Sequence, residues 1–501
     1  MKKTFFTLFV GLIFISSQAQ DISDALRYSQ DNLNGTARFR AMSGAFGALG
    51  GDLSSIGINP AGSVVFANNQ VGFTLSNYNI KNNSNYFGKQ TSENNNSFDL
   101  NQAGAVFIFE NDDKESDWKK LALALNYDNT SNLNNSIFSS GTNTTNSIDN
   151  YFLSYANGIP LSTVNGNDFN YADLFFNEQQ AFLGYQSFII NSTDETNLNN
   201  TQYVSGVAPG GNYYQEYTLE STGYNGKLSF NASGQYTDKL SFGINLNSHF
   251  VDYRQFSSFF ERNNNNTSTT DLVKRLRFNN DLYTYGNGFS FQLGTIYKPY
   301  KEVRFGIAYE SPTWLTLNDE IRQDVSAVSS SSAGELSPDV VNPNLTVIFE
   351  PYKLQTPSKW TGSFAYVFGK KGLLSVDYAV KDFSSTTFKP KKDFTSTNTS
   401  LSNQLDYSTE LRLGGEYKIK KLSFRGGYRF ETSPYKDGKT IGDLTGYSAG
   451  FGYNFGSTKL DLAYSYAQRE YNKQFFSQGF TDSSKINSIN NNISLTLLFE
   501  L

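Results

Sequence analysis

The chain has 501 residues and a formal net charge of −5, from 41 Lys and Arg against 46 Asp and Glu, with no cysteine and one histidine. Charged residues make up 17% and aromatic residues 16%, with 43 Phe and 32 Tyr, whereas an average soluble globule carries about 25% charged residues. This balance excludes a basic nucleic-acid footprint. The missing cysteines exclude disulfides, thiolate nucleophiles and Cys-ligated metal sites, and a mean hydropathy of −0.46 excludes a helical membrane bundle.

In chain order, the first element is an export signal. Lys2 and Lys3 precede an apolar run from Phe5 to Ile15, and Ser17 and Ala19 sit at the small-residue positions of a cleavage site. Residues 1–19 are expected to be removed, and the apolar run is too short to span a bilayer. Residues 20–68 follow as a compact segment in which Gly35, Gly44, Gly47, Gly50, Gly51, Gly57 and Gly62 punctuate Ala-rich pieces, ending in an Asn59-Pro60-Ala61-Gly62 turn. A small-residue segment of this size ahead of a barrel reads as a plug, with a periplasmic tail as the alternative. The glycine run Gly44, Gly47, Gly50 lacks the strand, turn and helix that a dinucleotide site requires.

From residue 69 onward the dominant period is two. Leu240, Phe242, Ile244 and Leu246 alternate with Ser241, Gly243, Asn245 and Asn247. Leu422, Phe424, Gly426, Tyr428 and Phe430 alternate in the same way with Ser423, Arg425, Gly427 and Arg429. Strand candidates lie near 69–80, 97–110, 119–130, 213–234, 239–262, 270–298, 303–319, 358–369, 373–387, 405–418, 421–432, 444–455, 458–471 and 485–501. Connections alternate between tight turns, such as Gln235 to Asp238, and long ones (81–96, 131–212, 263–269, 320–357, 388–404, 433–443, 472–484). Sorted loops, long strands with aromatic ends and an even strand number predict an all-β transmembrane antiparallel barrel of about 14 strands over 69–501. A soluble β-sandwich, the inverted reading of the same alternation, has no reason to sort its loops. The chain ends inside an amphipathic strand at Phe499-Glu500-Leu501, consistent with a barrel-assembly signal.

The connection 131–212 carries Tyr151, Phe152, Tyr155, Tyr171, Leu174, Phe175, Phe176, Phe182 and Tyr185 at helical spacing. It predicts a partly helical extracellular loop. Tyr171, Phe175, Phe176 and Phe182 are either a greasy capture surface or the packing of helices against one another.

By parity the lumen receives Arg304, Asp377, Arg412, Glu416, Arg425, Arg429 and Asp461. An amphipathic ligand with a carboxylate would need a cation in its pocket. Arg304, Arg412 and Arg425 are the candidates, set against the alternative that they pair with Asp377, Glu416 and Asp461. His249 stands alone at a luminal parity, with no triad or metal constellation around it. The sequence points to no enzyme, cofactor or metal. The competing function is a surface-exposed binding or adhesion barrel without transport, acting through Asn/Ser/Thr-rich loops at Asn263 to Thr270 and Ser326 to Ala333.

Several local patterns resemble the FadL/TodX-like outer-membrane transporters. They are Gly35-Thr-Ala-Arg38, Gly44-Ala-Phe-Gly47 and Asn59-Pro60-Ala61-Gly62; Arg304-Phe-Gly-Ile-Ala-Tyr309-Glu-Ser311-Pro312; Leu354-Gln-Thr-Pro357 into Gly362-Ser-Phe-Ala-Tyr366; and Leu411-Arg412-Leu-Gly414-Gly-Glu416-Tyr417 with Leu422-Ser-Phe-Arg425-Gly426-Gly-Tyr428. The resemblance implies a fourteen-stranded, porin-like barrel in the outer membrane of a Gram-negative cell. A hatch formed by Gly35, Arg38, Gly44, Gly47, Asn59, Pro60, Ala61 and Gly62 would close it. It implies passive uptake of long-chain fatty acids or similar hydrophobic compounds by a monomer, surrounded by outer-membrane lipid and inserted by the barrel assembly machinery, with no nucleic-acid partner. It also implies sideways release through an inward kink of the third strand. That strand reads Lys119-Lys-Leu-Ala-Leu-Ala-Leu-Asn-Tyr127, with no Gly or Pro to mark a kink, and Ala122 and Ala124 would leave space beside it.

Overall fold

The computed structural model describes residues 20–113, 115–266 and 271–501; the expected export segment lies outside the described residues. Fourteen antiparallel strands close on themselves. β1 is Gln70–Tyr86, β2 Lys89–Glu110 and β3 Trp118–Asn132, the last continued by Asn135–Asn143. β4 (Tyr213–Tyr236), β5 (Leu240–Asn263) and β6 (Leu272–Tyr297) are the longest unbroken strands. β7 runs as Val303–Glu310 and then Trp314–Ser331 across the Ser311-Pro312-Thr313 interruption, and both parts pair with β6. β8 (Lys359–Phe368), β9 (Gly372–Asp382), β10 (Tyr407–Ile419) and β11 (Leu422–Glu431) follow. β12 (Ile441–Asn454), β13 (Thr458–Gln474) and β14 (Ser483–Glu500) complete the set. β14 pairs with β1 from Glu500↔Gln70 to Lys485↔Asn85, which seals the sheet.

The alternation in the sequence decides which face looks out. Phe98, Phe107, Leu121, Leu123, Leu125, Phe230, Ile244, Leu293 and Leu495 stand exposed on the outer face, an apolar belt that only a lipid environment covers. The inner parity carries small hydrogen-bonding side chains that pair across strands, such as Thr74 with Thr496 and Ser76 with Ser494, each at 2.7 Å. Inward glycines leave room for something else: a Cβ on Gly243, Gly294 or Gly306 would run into Pro60, Asn59 or Gly47.

That something is the N-terminal segment. Helix α1 (Ile22–Ser29), capped by Asp21, packs Ala25, Leu26 and Tyr28 against Leu315, Leu317, Tyr352 and Leu354. Helix α2 (Ala37–Ala41) and two 3-10 turns, Leu53–Gly57 and Pro60–Val65, then pass along the inner wall until Gln70 opens β1. The space that Ala122 and Ala124 were expected to leave is filled, because Leu53, Ile56, Val64 and Phe66 pack onto them.

Two expectations need correction. The stretch 81–96, expected as a long connection, is strand almost throughout. β1 and β2 continue to a two-residue turn at Phe87-Gly88, both with positive φ, as a primed hairpin turn demands. Ser326 to Ser331, expected in a loop, belongs to β7; of the loop expected at Asn263 to Thr270, residues 267–270 lie outside the described residues. The β1–β2 hairpin rises beyond the apolar belt with both faces polar, whereas the upper part of β7 keeps Val325 and Ala327 on an apolar inner face packed with Phe278. The connection between β3 and β4 is shorter than 131–212, because β3 continues to Asn143, and it contains three helices. Helices α3 (Asp149–Ala156), α4 (Leu161–Val164) and α5 (Phe176–Gln186) pack on the long ends of β5 and β6 in a cluster with Phe152, Phe259, Phe278 and Phe480.

Candidate functional site

The segment 35–66 is fixed to the wall by groups that the sequence placed on the inner face. Glu416, whose side chain is fully buried, accepts from Arg38 Nε at 2.9 Å and from Arg425 Nε at 2.7 Å, and Arg425 reaches on to Asp461 at 2.5 Å. Asp377 takes the backbone N–H groups of Phe46 and Gly47, at 3.0 and 2.9 Å. Arg304 donates to the carbonyl of Leu49 at 2.7 Å. Asn59 bonds its amide nitrogen to Gly47 O and Thr295 O while its oxygen caps Ala61 N–H, and Asn231 donates to Pro60 O at 2.9 Å. Gly35 and Gly44 adopt φ of +125° and +77°, which only glycine takes without strain. Gly47 and Gly62 serve by close approach to Ser363 and to Gly50.

Of the three arginines singled out for a ligand head group, Arg425 is engaged with Glu416 and Asp461 and Arg304 with Leu49. Arg412 bonds Glu410 at 2.5 Å, not Asp377. It alone of the three borders a cavity of about 90 Å³ that opens beside the segment. Residues that the sequence reading did not single out line the same cavity. Asp31, Asp128, Lys227 and Lys381 surround it, with His249 across the strand pair from Lys227. His249 Nε2 lies 2.8 Å from Ser290 Oγ. The signal for Lys227 was available, since it shares the inward parity of β4 with Asn225 and Ser229, all buried.

The third strand parts from its neighbour here. β2 and β3 pair from Glu110↔Lys120 only as far as Gln102↔Asp128. Beyond that point β2 pairs with β1, and β3 and its continuation stay with β4. The continuation turns inward across β1, where Asn82 donates to Asn135 Oδ1 at 2.6 Å and Ser84 meets Ser139 at 2.5 Å. The backbone bonds lost to β2 are replaced in part by the N-terminal segment: Asn32 N–H donates to Thr130 O at 3.0 Å and Ser131 Oγ to Gln30 O at 3.0 Å. Among the described residues the bonds across the parting come from side chains: Asn129 to Asp99, Asn132 to Ser97 at 3.3 Å and Thr91 to the carbonyl of Phe138. The break begins one residue past the stretch Lys119 to Tyr127. Its sequence mark is the polar run Asp128-Asn-Thr-Ser-Asn132, which offers neither face to lipid.

The four candidate capture residues do not share one environment. Tyr171 is buried in the helical cluster, Phe176 and Phe182 are half-buried, and Phe175 is 54% exposed. Most of this loop's aromatic surface is spent on internal packing, including Phe152 against Phe278 with ring centroids 5.3 Å apart.

A family model described as "Outer membrane protein transport protein (OMPP1/FadL/TodX)" matches residues 188–491. Among solved structures, a Pseudomonas aeruginosa FadL homologue superposes with a TM-score of 0.51 at 13% identity, covering 94% of this chain and 99% of that one. A TodX monoaromatic hydrocarbon channel deltaS2 mutant gives 0.50 at 12%, covering 94% and 100%. The Pseudomonas putida toluene transporter TodX gives 0.49 at 14%, covering 93% and 99%. No curated protein matches the chain. The family match spans more than half of the sequence and the fold agrees along nearly all of it: the chain belongs to the OMPP1/FadL/TodX family of outer-membrane transport proteins.

Proposed function

We propose that the barrel takes up hydrophobic and amphipathic small molecules, long-chain fatty acids among them, without energy input and without chemical change to the cargo. The N-terminal segment acts as a hatch, and the cargo leaves sideways between β2 and β3. The observation that carries this reading is the parting of β2 from β3 beyond Gln102↔Asp128, beside a lumen otherwise filled by residues 35–66. Exposed Phe98 and Leu100 flank the parting on the lipid side, so an apolar molecule reaching it meets apolar side chains and lipid. Capture begins at the cell surface around the exposed Phe175. The barrel assembly machinery inserts the chain, which works as a monomer.

The test is to purify the barrel in detergent and identify what co-purifies by mass spectrometry, alongside uptake by a deletion strain. Bound lipids or aromatic compounds and an uptake defect are expected. Empty protein with normal uptake would replace the transporter by a surface-binding barrel.

A further inference from the structure

We propose that the cavity beside the N-terminal segment binds a small hydroxylated monocarboxylate, with the Lys227 ammonium as its anion-recognising group. The proposal rests on the uptake reading and narrows its cargo. Pockets for hydrocarbon are lined mainly by apolar side chains with a few polar groups. In this one the apolar groups are the minority, and Asn32, Asn34, Thr130 and Asn225 join the charged residues around it.

The charges themselves are unequally satisfied. Lys381 donates to Ser29 O at 2.7 Å and to Asp31 at 3.2 Å, and Lys359 and Arg412 share Glu410. Lys227 is 7% exposed and makes no hydrogen bond or ion pair with any described residue, although Asp128 stands directly opposite on β3. The two side chains approach Gly57 instead of each other: a Cβ there would lie 3.5 Å from Lys227 Nζ and 3.8 Å from an Asp128 carboxylate oxygen. A buried ammonium without a hydrogen-bonding partner is costly, since Asp128 and Asp31 act on it only through space, and an incoming carboxylate removes that cost through charge-assisted hydrogen bonds. Asp128 and Glu310, both on the cavity and in no ion pair among the described residues, disfavour a second negative charge. Asp128 can also accept from a hydroxyl on the ligand. Together these select a monoanion with a hydrogen-bond donor.

The test uses the full barrel in detergent and four probes by titration calorimetry: 4-hydroxybenzoate, its neutral isostere 4-hydroxybenzamide, decanoate and toluene. Wild type should prefer the hydroxy acid over the amide by about tenfold to a hundredfold, the range of one charge-assisted hydrogen bond. Lys227→Met should abolish that preference and Lys227→Arg should retain most of it. Equal binding of acid and amide, no binding of the acid, tighter binding of toluene or decanoate, or an undiminished preference in Lys227→Met overturns the proposal. The wild-type comparison decides even if the Met variant does not fold. If none of the four compounds crosses proteoliposomes carrying the barrel, the uptake reading itself fails.

Discussion

Glu416 concentrates more charge than any other inward carboxylate described above, holding Arg38, Arg425 and, at 3.2 Å, Lys418. Removing one partner of a buried ion pair leaves the others uncompensated, which typically costs 3–5 kcal/mol. Glu416→Gln should therefore lower the unfolding free energy by about 3 kcal/mol, read from urea titration in detergent, and should loosen the N-terminal segment because Arg38 belongs to it. By contrast Glu110, largely exposed beside Lys120 at 3.8 Å, should give no measurable change when replaced by Gln. Gly243 works by absence: any side chain there meets the backbone of Pro60. Gly243→Val should push the 60–65 turn off the wall and raise single-channel conductance with the barrel still folded; unchanged conductance would show that the turn absorbs the clash. At this scale the sequence was informative about side and silent about partner. Parity placed Asp377, Glu416, Asp461 and the arginines inside, but nothing local says that Asp377 receives the N–H groups of residues more than 300 positions away.

At the scale of elements, what could be read from sequence follows the lipid. Within the apolar belt the period of two is driven by burial against bilayer, so strand order and the sorted turns follow from the chain alone. Above it the extension of β1 and β2 is polar on both faces, and alternation vanishes while backbone pairing continues. That is why 81–96 reads as loop and folds as hairpin. The third strand is the same problem in reverse: its departure from β2 is set by the N-terminal segment that takes its backbone bonds and by Asn82 and Ser84 beneath its continuation, none of which is local. A crosslink tests whether this parting is the exit. Ser97 and Asn132 face each other across it, and the chain contains no other cysteine to interfere. A Ser97→Cys/Asn132→Cys protein should lose most fatty-acid uptake when oxidised and regain it on reduction. Full uptake by the oxidised protein would move the exit elsewhere.

For the whole molecule, two structures share one chain: a wall that is complete in itself and a filling that is not. The wall closes through β1 and β14 without help from residues 20–66, and its inner face is rich in glycine and small polar groups that water can satisfy once exposed. The filling has no sheet or long helix of its own, only helices of eight and five residues and two 3-10 turns, and isolated helices of that length are unstable in water. Its order is borrowed from the wall through Glu416, Asp377, Asn231 and the inward glycines. Deleting residues 20–66 should therefore leave a folded barrel, still resistant to unfolding in cold detergent, while emptying the lumen. Liposomes bearing the shortened barrel should swell in isosmotic sucrose several-fold faster than those bearing the full chain. The helical cluster of α3 and α5 is the remaining barrier, since it packs on β4, β5, β6 and β7 and those contacts survive the deletion. If swelling is unchanged, that cluster closes the barrel and the N-terminal segment gates nothing; if swelling rises only when the α3 to α5 region is also removed, the two act in series and the segment is the inner of two barriers.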